Sequence, residues 1–225
     1  MSSVRLLCLH GMYQRSCTFR AKTAHLGGRG LELAFLDGPV NLVPKVVAAS
    51  SKHVVDTAGF KAWWDPAVPL TMEDRDAVLA YVGDALSHDG PFDGVLGFSQ
   101  GAVVASWLCS NYATEALGWT PAMAVFLGGY VDPHDVATVF SRGLTPGVSS
   151  FHAYGVNDRV VPAVKSAQLA QLFEAGNTGS VTRHVHQLGH IVPKSPDLLA
   201  ALDAFLLAAD ADADADALHQ AVHAN

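Results

Sequence analysis

The sequence predicts an α/β protein in which a mainly parallel sheet is covered by helices on both faces. Short apolar runs rich in strand-forming residues alternate with longer segments of helical period, the pattern produced by crossover connections between parallel strands. Half of the 225 residues are hydrophobic and only 16% are charged, a balance that suits strands buried on both sides and excludes a disordered chain. One domain is the economical reading at this length, with residues 1–208 as the folded unit and 209–225 as a low-complexity extension.

In order along the chain, Val4 to Leu9 reads as the first strand, running into His10-Gly11-Met12. Residues 16–29 read as a helix ending at Gly27-Gly28, and Leu31 to Leu36 as the next strand, closed by Asp37-Gly38-Pro39. From Val40 to Leu70, Pro44, Ser50-Ser51, Gly59 and Trp63-Trp64 make the stretch too irregular for a core element and too apolar for a linker, so an excursion over the top of the sheet is expected. Thr71 with Asp74 three residues on predicts an N-terminal cap, and Val78, Tyr81, Val82, Ala85 and Leu86 then share a helical face. Phe92 to Leu96 is expected as a strand, Ala102 to Tyr112 as a helix, and Ala122 to Leu127 and Ser150 to Tyr154 as strands. Val164 to Phe173 follows as a helix, Val181 to Val185 as a strand and Leu198 to Ala208 as a final helix. In the tail, Asp210, Asp212, Asp214 and Asp216 superficially match a calcium loop. The sixth and twelfth positions, Ala215 and Ala221, lack the glycine and glutamate such a loop needs, so a solvated, disordered tail is the expectation.

A net charge of −7 without clustered Lys and Arg argues against a nucleic-acid partner. Cys8, Cys17 and Cys109 show neither a disulfide framework nor zinc spacing. The first apolar run is interrupted by Arg5 and is shorter than a signal-peptide core. No run approaches the roughly 18 apolar residues of a membrane helix, so a soluble, cytoplasmic protein without membrane insertion is expected. Oligomeric state is left open.

Gly97-Phe98-Ser99-Gln100-Gly101 has the G-x-S-x-G form of a nucleophile elbow, placed between a predicted strand and a predicted helix. The turn strains the serine backbone and crowds its neighbours, which is why the positions two before and two after must lack Cβ. Ser99 is thereby the candidate nucleophile. The Gln100 amide, at the helix N-terminus, is a candidate oxyanion donor, and the Met12 amide, in the loop after the first strand, is the second. An alcohol needs a general base and the base needs an orienting carboxylate. Asp158, just past the Ser150 to Tyr154 strand, and His190, in the loop after the last strand, follow Ser99 in the required order.

Among the 11 histidines, His184 and His186 share a strand face without a third metal ligand of suitable spacing, and no metal site is expected. His152 lies inside a strand. His10 either lines the site or caps its turn, with the structural role favoured. Trp63 and Trp64 either roof an acyl pocket or pack ordinarily.

Taken together, Leu9-His10-Gly11, Phe35 to Pro39, Trp63-Trp64, Gly97 to Gly101, Gly155 to Pro162 and Gly189 to Pro193 resemble the FSH family of serine hydrolases over most of residues 4–207. The resemblance implies an α/β-hydrolase fold and a carboxylesterase or thioesterase reaction on acyl esters, with no cofactor. The hydrophobic insertion between Val40 and Leu70 adds the expectation that the substrate is a small-molecule ester of a medium or long acyl chain. The alternatives are a thioesterase acting on coenzyme A or carrier-bound acyl groups, and a non-catalytic binding module on the same fold. Met12-Tyr13-Gln14-Arg15 departs from the family's oxyanion loop, and the Asp-Ala tail is extra to it.

Overall fold

The computed structural model describes residues 3–28, 30–42, 59–176 and 178–223, with side chains as far as Ala209. Six strands form the sheet: β1 (Val4–Leu9), β2 (Leu31–Leu36), β5 (Gly94–Phe98), β6 (Met123–Leu127), β7 (Ser149–Gly155) and β8 (Val181–His186). Their order is β2-β1-β5-β6-β7-β8, with every neighbouring pair parallel. A second, antiparallel pair, β3 (Val40–Asn41) with β4 (Lys61–Ala62), belongs to the segment expected as an excursion. Pro44 and Ser50-Ser51 of that segment lie outside the described residues.

Alternation along the strands sorts the core into two layers. Leu7, Leu9, Val95, Ala124 and Phe126 pack with α2 (Met72–Asp89), α3 (Gln100–Trp107) and α6 (Ala163–Ala175) through residues such as Val78, Val103 and Leu169. Leu6, Cys8, Leu96, Phe98, Val125 and Leu127 face the other way. They pack with Phe19 of α1 (Ser16–Thr23) and with Leu198, Leu202 and Phe205 of α7 (Pro196–His223). Burial on both faces is the physical reason these strands read as continuous apolar runs.

The cap predicted at Thr71 is a full capping box. The Asp74 amide donates to Thr71 Oγ1, and the Thr71 amide donates to Asp74 Oδ2.

Several boundaries differ from expectation. The helix expected over 16–29 ends at Thr23, because the chain is needed for the tight turn in which Gly28 bridges Leu31, with Gly28 and Gly30 both at φ 90°. The strand expected from Phe92 begins at Gly94 and runs to Phe98, where pairing with β6 starts at Gly94 opposite Met123. The helix expected from Ala102 to Tyr112 starts at Gln100 and is two helices. It breaks before Ser110, whose hydroxyl accepts from the Ala113 amide and caps α4 (Asn111–Leu117). A short helix, α5 (Pro133–Ala137), has no counterpart among the sequence expectations. The tail expected to be disordered continues the α7 backbone as helix to His223, in keeping with alanine's high helix propensity.

What matters for the site is the reversal of strand order. The chain moves outward from β1 to β2 and then returns to place β5 on the other side of β1. The carboxyl ends of β1 and β5 therefore lie side by side, Leu9 opposite Gly97, at the switch point where such sheets bind ligands.

Candidate active site

At that switch point Ser99 closes β5 and opens α3 with φ 54° and ψ −119°, outside the regions a serine ordinarily adopts. Crowding explains the flanking glycines. A Cβ on Gly97 would stand 2.4 Å from the Gly101 carbonyl oxygen, and one on Gly101 would stand 2.1 Å from the Leu9 oxygen. Gly11, in the facing loop, is held to the same condition, since its Cβ would approach the Phe98 ring at 2.9 Å and Ser99 Cβ at 3.2 Å.

Asp158 and His190, far apart in the chain, meet here. His190 Nδ1 donates to Asp158 Oδ2 at 2.6 Å. The other carboxylate oxygen accepts from the Val160 and Val161 amides, both at 2.8 Å, so the aspartate is fixed by its own turn before it fixes the histidine. The Asp158 side chain is 1% exposed, which strengthens its attraction for the ring. Among the described residues His190 Nε2 is buried and has no hydrogen-bond partner, leaving it as the free basic nitrogen of a ring packed on Phe98 at 4.8 Å.

Gln100 is the first residue of α3, a position whose amide has no acceptor within the helix. Met12, Ser99 and Gln100 together line a cleft of ≈ 390 Å³, shared with Trp64, Tyr130 and Lys165. Gln100 also works through its side chain. Its Oε1 accepts from the Trp63 amide at 2.9 Å and its Nε2 donates to the Trp64 carbonyl at 3.0 Å. This clamp carries the Trp63-Trp64 pair to the cleft. Trp63 itself is core, 1% exposed, with its indole N–H donating to the His10 carbonyl at 2.8 Å. Trp64 alone of the two borders the Ser99 cleft.

His10 is fully buried and pins the loops. Its Nε2 accepts from the Gly38 amide at 2.8 Å, so Nδ1 carries the proton donated to the Gly11 carbonyl at 2.7 Å. Burial holds its pKa below the usual imidazole range, consistent with a neutral structural ring. His152 is likewise buried, with its pKa pushed down to about 3 by burial and then by Arg183.

Sequence reasoning missed three contributors. Gly128 sits at φ 56°, and a Cβ there would lie 3.1 Å from His190 Cε1 and 3.2 Å from Nδ1. The Gly128-Gly129 pair at the end of β6 was the available signal. Tyr13, with φ 57°, is the other non-glycine residue of positive φ among the described residues, in the loop that presents Met12. That loop is tied to β4 by the Lys61 amide donating to the Gln14 carbonyl at 3.0 Å. Tyr130, whose phenol is pushed up to about 12 by burial and then by Asp132 and Asp135, is a neutral donor in the cleft. No local pattern marks either tyrosine.

The sheet and this arrangement define an α/β hydrolase. The family model described as "Serine hydrolase (FSH1)" matches residues 1–202, and the chain belongs to that serine hydrolase family. Esterase OVCA2 of Bos taurus is 32% identical over 213 residues, covering 84% of this chain and 89% of that protein. Its Homo sapiens counterpart is 31% identical with the same coverage. Among solved structures, a Bacillus cereus carboxylesterase aligns with a TM-score of 0.63 at 18% identity, covering 91% of this chain and 87% of the other. Acyl-protein thioesterase 2 of Zea mays aligns with a TM-score of 0.63 at 20% identity, covering 93% and 94%. These two likenesses speak for the fold alone. Among the described residues, no helix is long and apolar enough to cross a membrane.

Proposed function

We propose that the protein is a cytoplasmic carboxylesterase that hydrolyses esters of medium or long acyl chains through Ser99, His190 and Asp158. The observation that carries this reading is the short His190–Asp158 hydrogen bond, with His190 Nε2 left without a partner among the described residues and its ring packed on Phe98, the residue before Ser99. As the Ser99 hydroxyl attacks the ester carbonyl, His190 Nε2 takes its proton and the Met12 and Gln100 amides receive the oxyanion. The tetrahedral intermediate expels the alcohol, which leaves with the proton from His190. Water, deprotonated by the same nitrogen, then attacks the acyl-enzyme, releases the acid and restores the serine. Asp158 keeps the proton on Nδ1 and stabilises the imidazolium. The chain-length assignment is supported by the apolar character of the segment that carries Trp64.

The test is hydrolysis of p-nitrophenyl esters by the wild type and by Ser99→Ala purified identically. Loss of turnover by about 10⁴-fold or more in the variant is expected. Equal activity in both would mean another nucleophile, and equal inertness would favour a binding module. Matched oxygen and sulfur esters compared side by side separate the esterase from a thioesterase.

A further inference from the structure

The cleft at Ser99 adjoins a second hollow, and Trp64 lines both. The second is an apolar cavity of ≈ 410 Å³ bounded also by Trp63, Pro39, Val40, Val68, Leu70 and Tyr81, so Trp63, absent from the Ser99 cleft, reaches this one. We propose that this cavity is the subsite for the distal part of an uncharged acyl chain, with Trp64 as the gate between it and the reacting carbonyl. The inference rests on the serine-hydrolase reading above and adds to it the place and the chemistry of the acyl tail.

The gate has a fixed base. The Gln100 side chain holds the Trp63 amide and the Trp64 carbonyl, which ties the partition to the residue after the nucleophile. The Trp64 indole is partly exposed and lies on the Trp107 ring at 5.5 Å and 28°, with Trp107 itself held by its N–H to Asp135 Oδ2 at 3.0 Å. Backbone anchoring with a side chain free on one face suits a wall that an acyl chain can pass.

The two hollows differ in chemistry. Tyr130, Asp132 and Lys165 give the Ser99 cleft polar groups for the ester and the leaving alcohol. The second cavity offers aliphatic and aromatic walls, and its charged lining, Asp65 and Asp74, is acidic. An alkyl tail gains about fourfold in transition-state binding for each methylene it buries, whereas a tail ending in a carboxylate meets like charge. The volume lies within the range of about 300–1,000 Å³ common to small-molecule sites.

Ala77, on the exposed side of α2, lines this cavity and is absent from the Ser99 cleft, so Ala77→Phe fills the proposed subsite from a distance. Kinetics on p-nitrophenyl acetate and laurate are expected to show unchanged kcat/KM for acetate and a loss of about tenfold or more for laurate, the loss of roughly two methylenes of contact. Val68→Phe, which also lines the cavity and is also exposed, is expected to act the same way and guards against a folding defect in the first variant. Trp64→Ala should raise the laurate-to-acetate ratio, and a laurate analogue with a terminal carboxylate should be turned over less efficiently than laurate. If both filling variants leave the laurate-to-acetate ratio at its wild-type value while Ser99→Ala is dead, the tail lies elsewhere and this inference alone is overturned. If Ser99→Ala still turns over acetate, the reading of the site falls and the subsite falls with it.

Discussion

Ser99 and Gly128 show how the site is set at the level of single backbone angles. Ser99 holds a conformation that serine rarely adopts, and the glycines around it remove the Cβ atoms that would otherwise occupy the same space. Gly128 meets the same demand on the other side, where a side chain would press on the His190 ring at its hydrogen-bonded edge. Gly128→Ala is therefore expected to lower kcat by about 10²-fold through displacement of the imidazole, with a far smaller change in KM, as checked by steady-state kinetics. The Gly97 to Gly101 elbow was legible in the sequence because its restrictions are local and fall within five positions. Gly128 was not, because the atom it must avoid belongs to a residue on another strand's loop.

Among the elements, α2, α3 and α5 are joined by one buried polar cluster. Arg75 on α2 places its guanidinium on Asp135 of α5 at 2.6 and 2.7 Å, and it also donates to the Leu70 and Thr71 carbonyls at 2.7 and 2.9 Å. Trp107 of α3 donates to the second Asp135 oxygen. With side chains 2% and 1% exposed, Arg75 and Asp135 satisfy each other in a site where neither charge would be tolerated alone. Asp135→Ala leaves the guanidinium unpaired and is expected to cost about 3–5 kcal/mol of stability, measurable by denaturant unfolding. The capping box at Thr71 was legible because both partners lie within one turn. Nothing in the chain signalled that Arg75 would find Asp135, since α5 is one of the elements that sequence pattern did not predict.

For the molecule as a whole, the buried histidine of β7 links folding to pH. His152 has a folded pKa of about 3 against an ordinary 6.5, so below pH 6.5 the unfolded chain binds a proton that the folded chain refuses. Stability conferred by this residue is complete above pH 6.5 and declines as pH falls toward 3. Equilibrium unfolding in urea across this range is expected to show the decline, and His152→Phe to flatten it. At the same scale the reversal of strand order brings the ends of β1 and β5 together, and with them the Met12 loop and the Ser99 elbow.

Local patterns were enough for the class of fold and the strained Gly97 to Gly101 turn, and they supplied the proposed order of Ser99, Asp158 and His190, because each depends on a period, a steric requirement or a succession that can be read along the chain. Tertiary structure decided which loops meet. It set His10 into the loops as a buried pin, separated Trp63 as core from Trp64 as cleft wall, and used the Gln100 side chain as the clamp between them. These choices depend on contacts between residues remote in the chain, whose energies arise only when the packed sheet removes their polar groups from water and leaves them each other as partners.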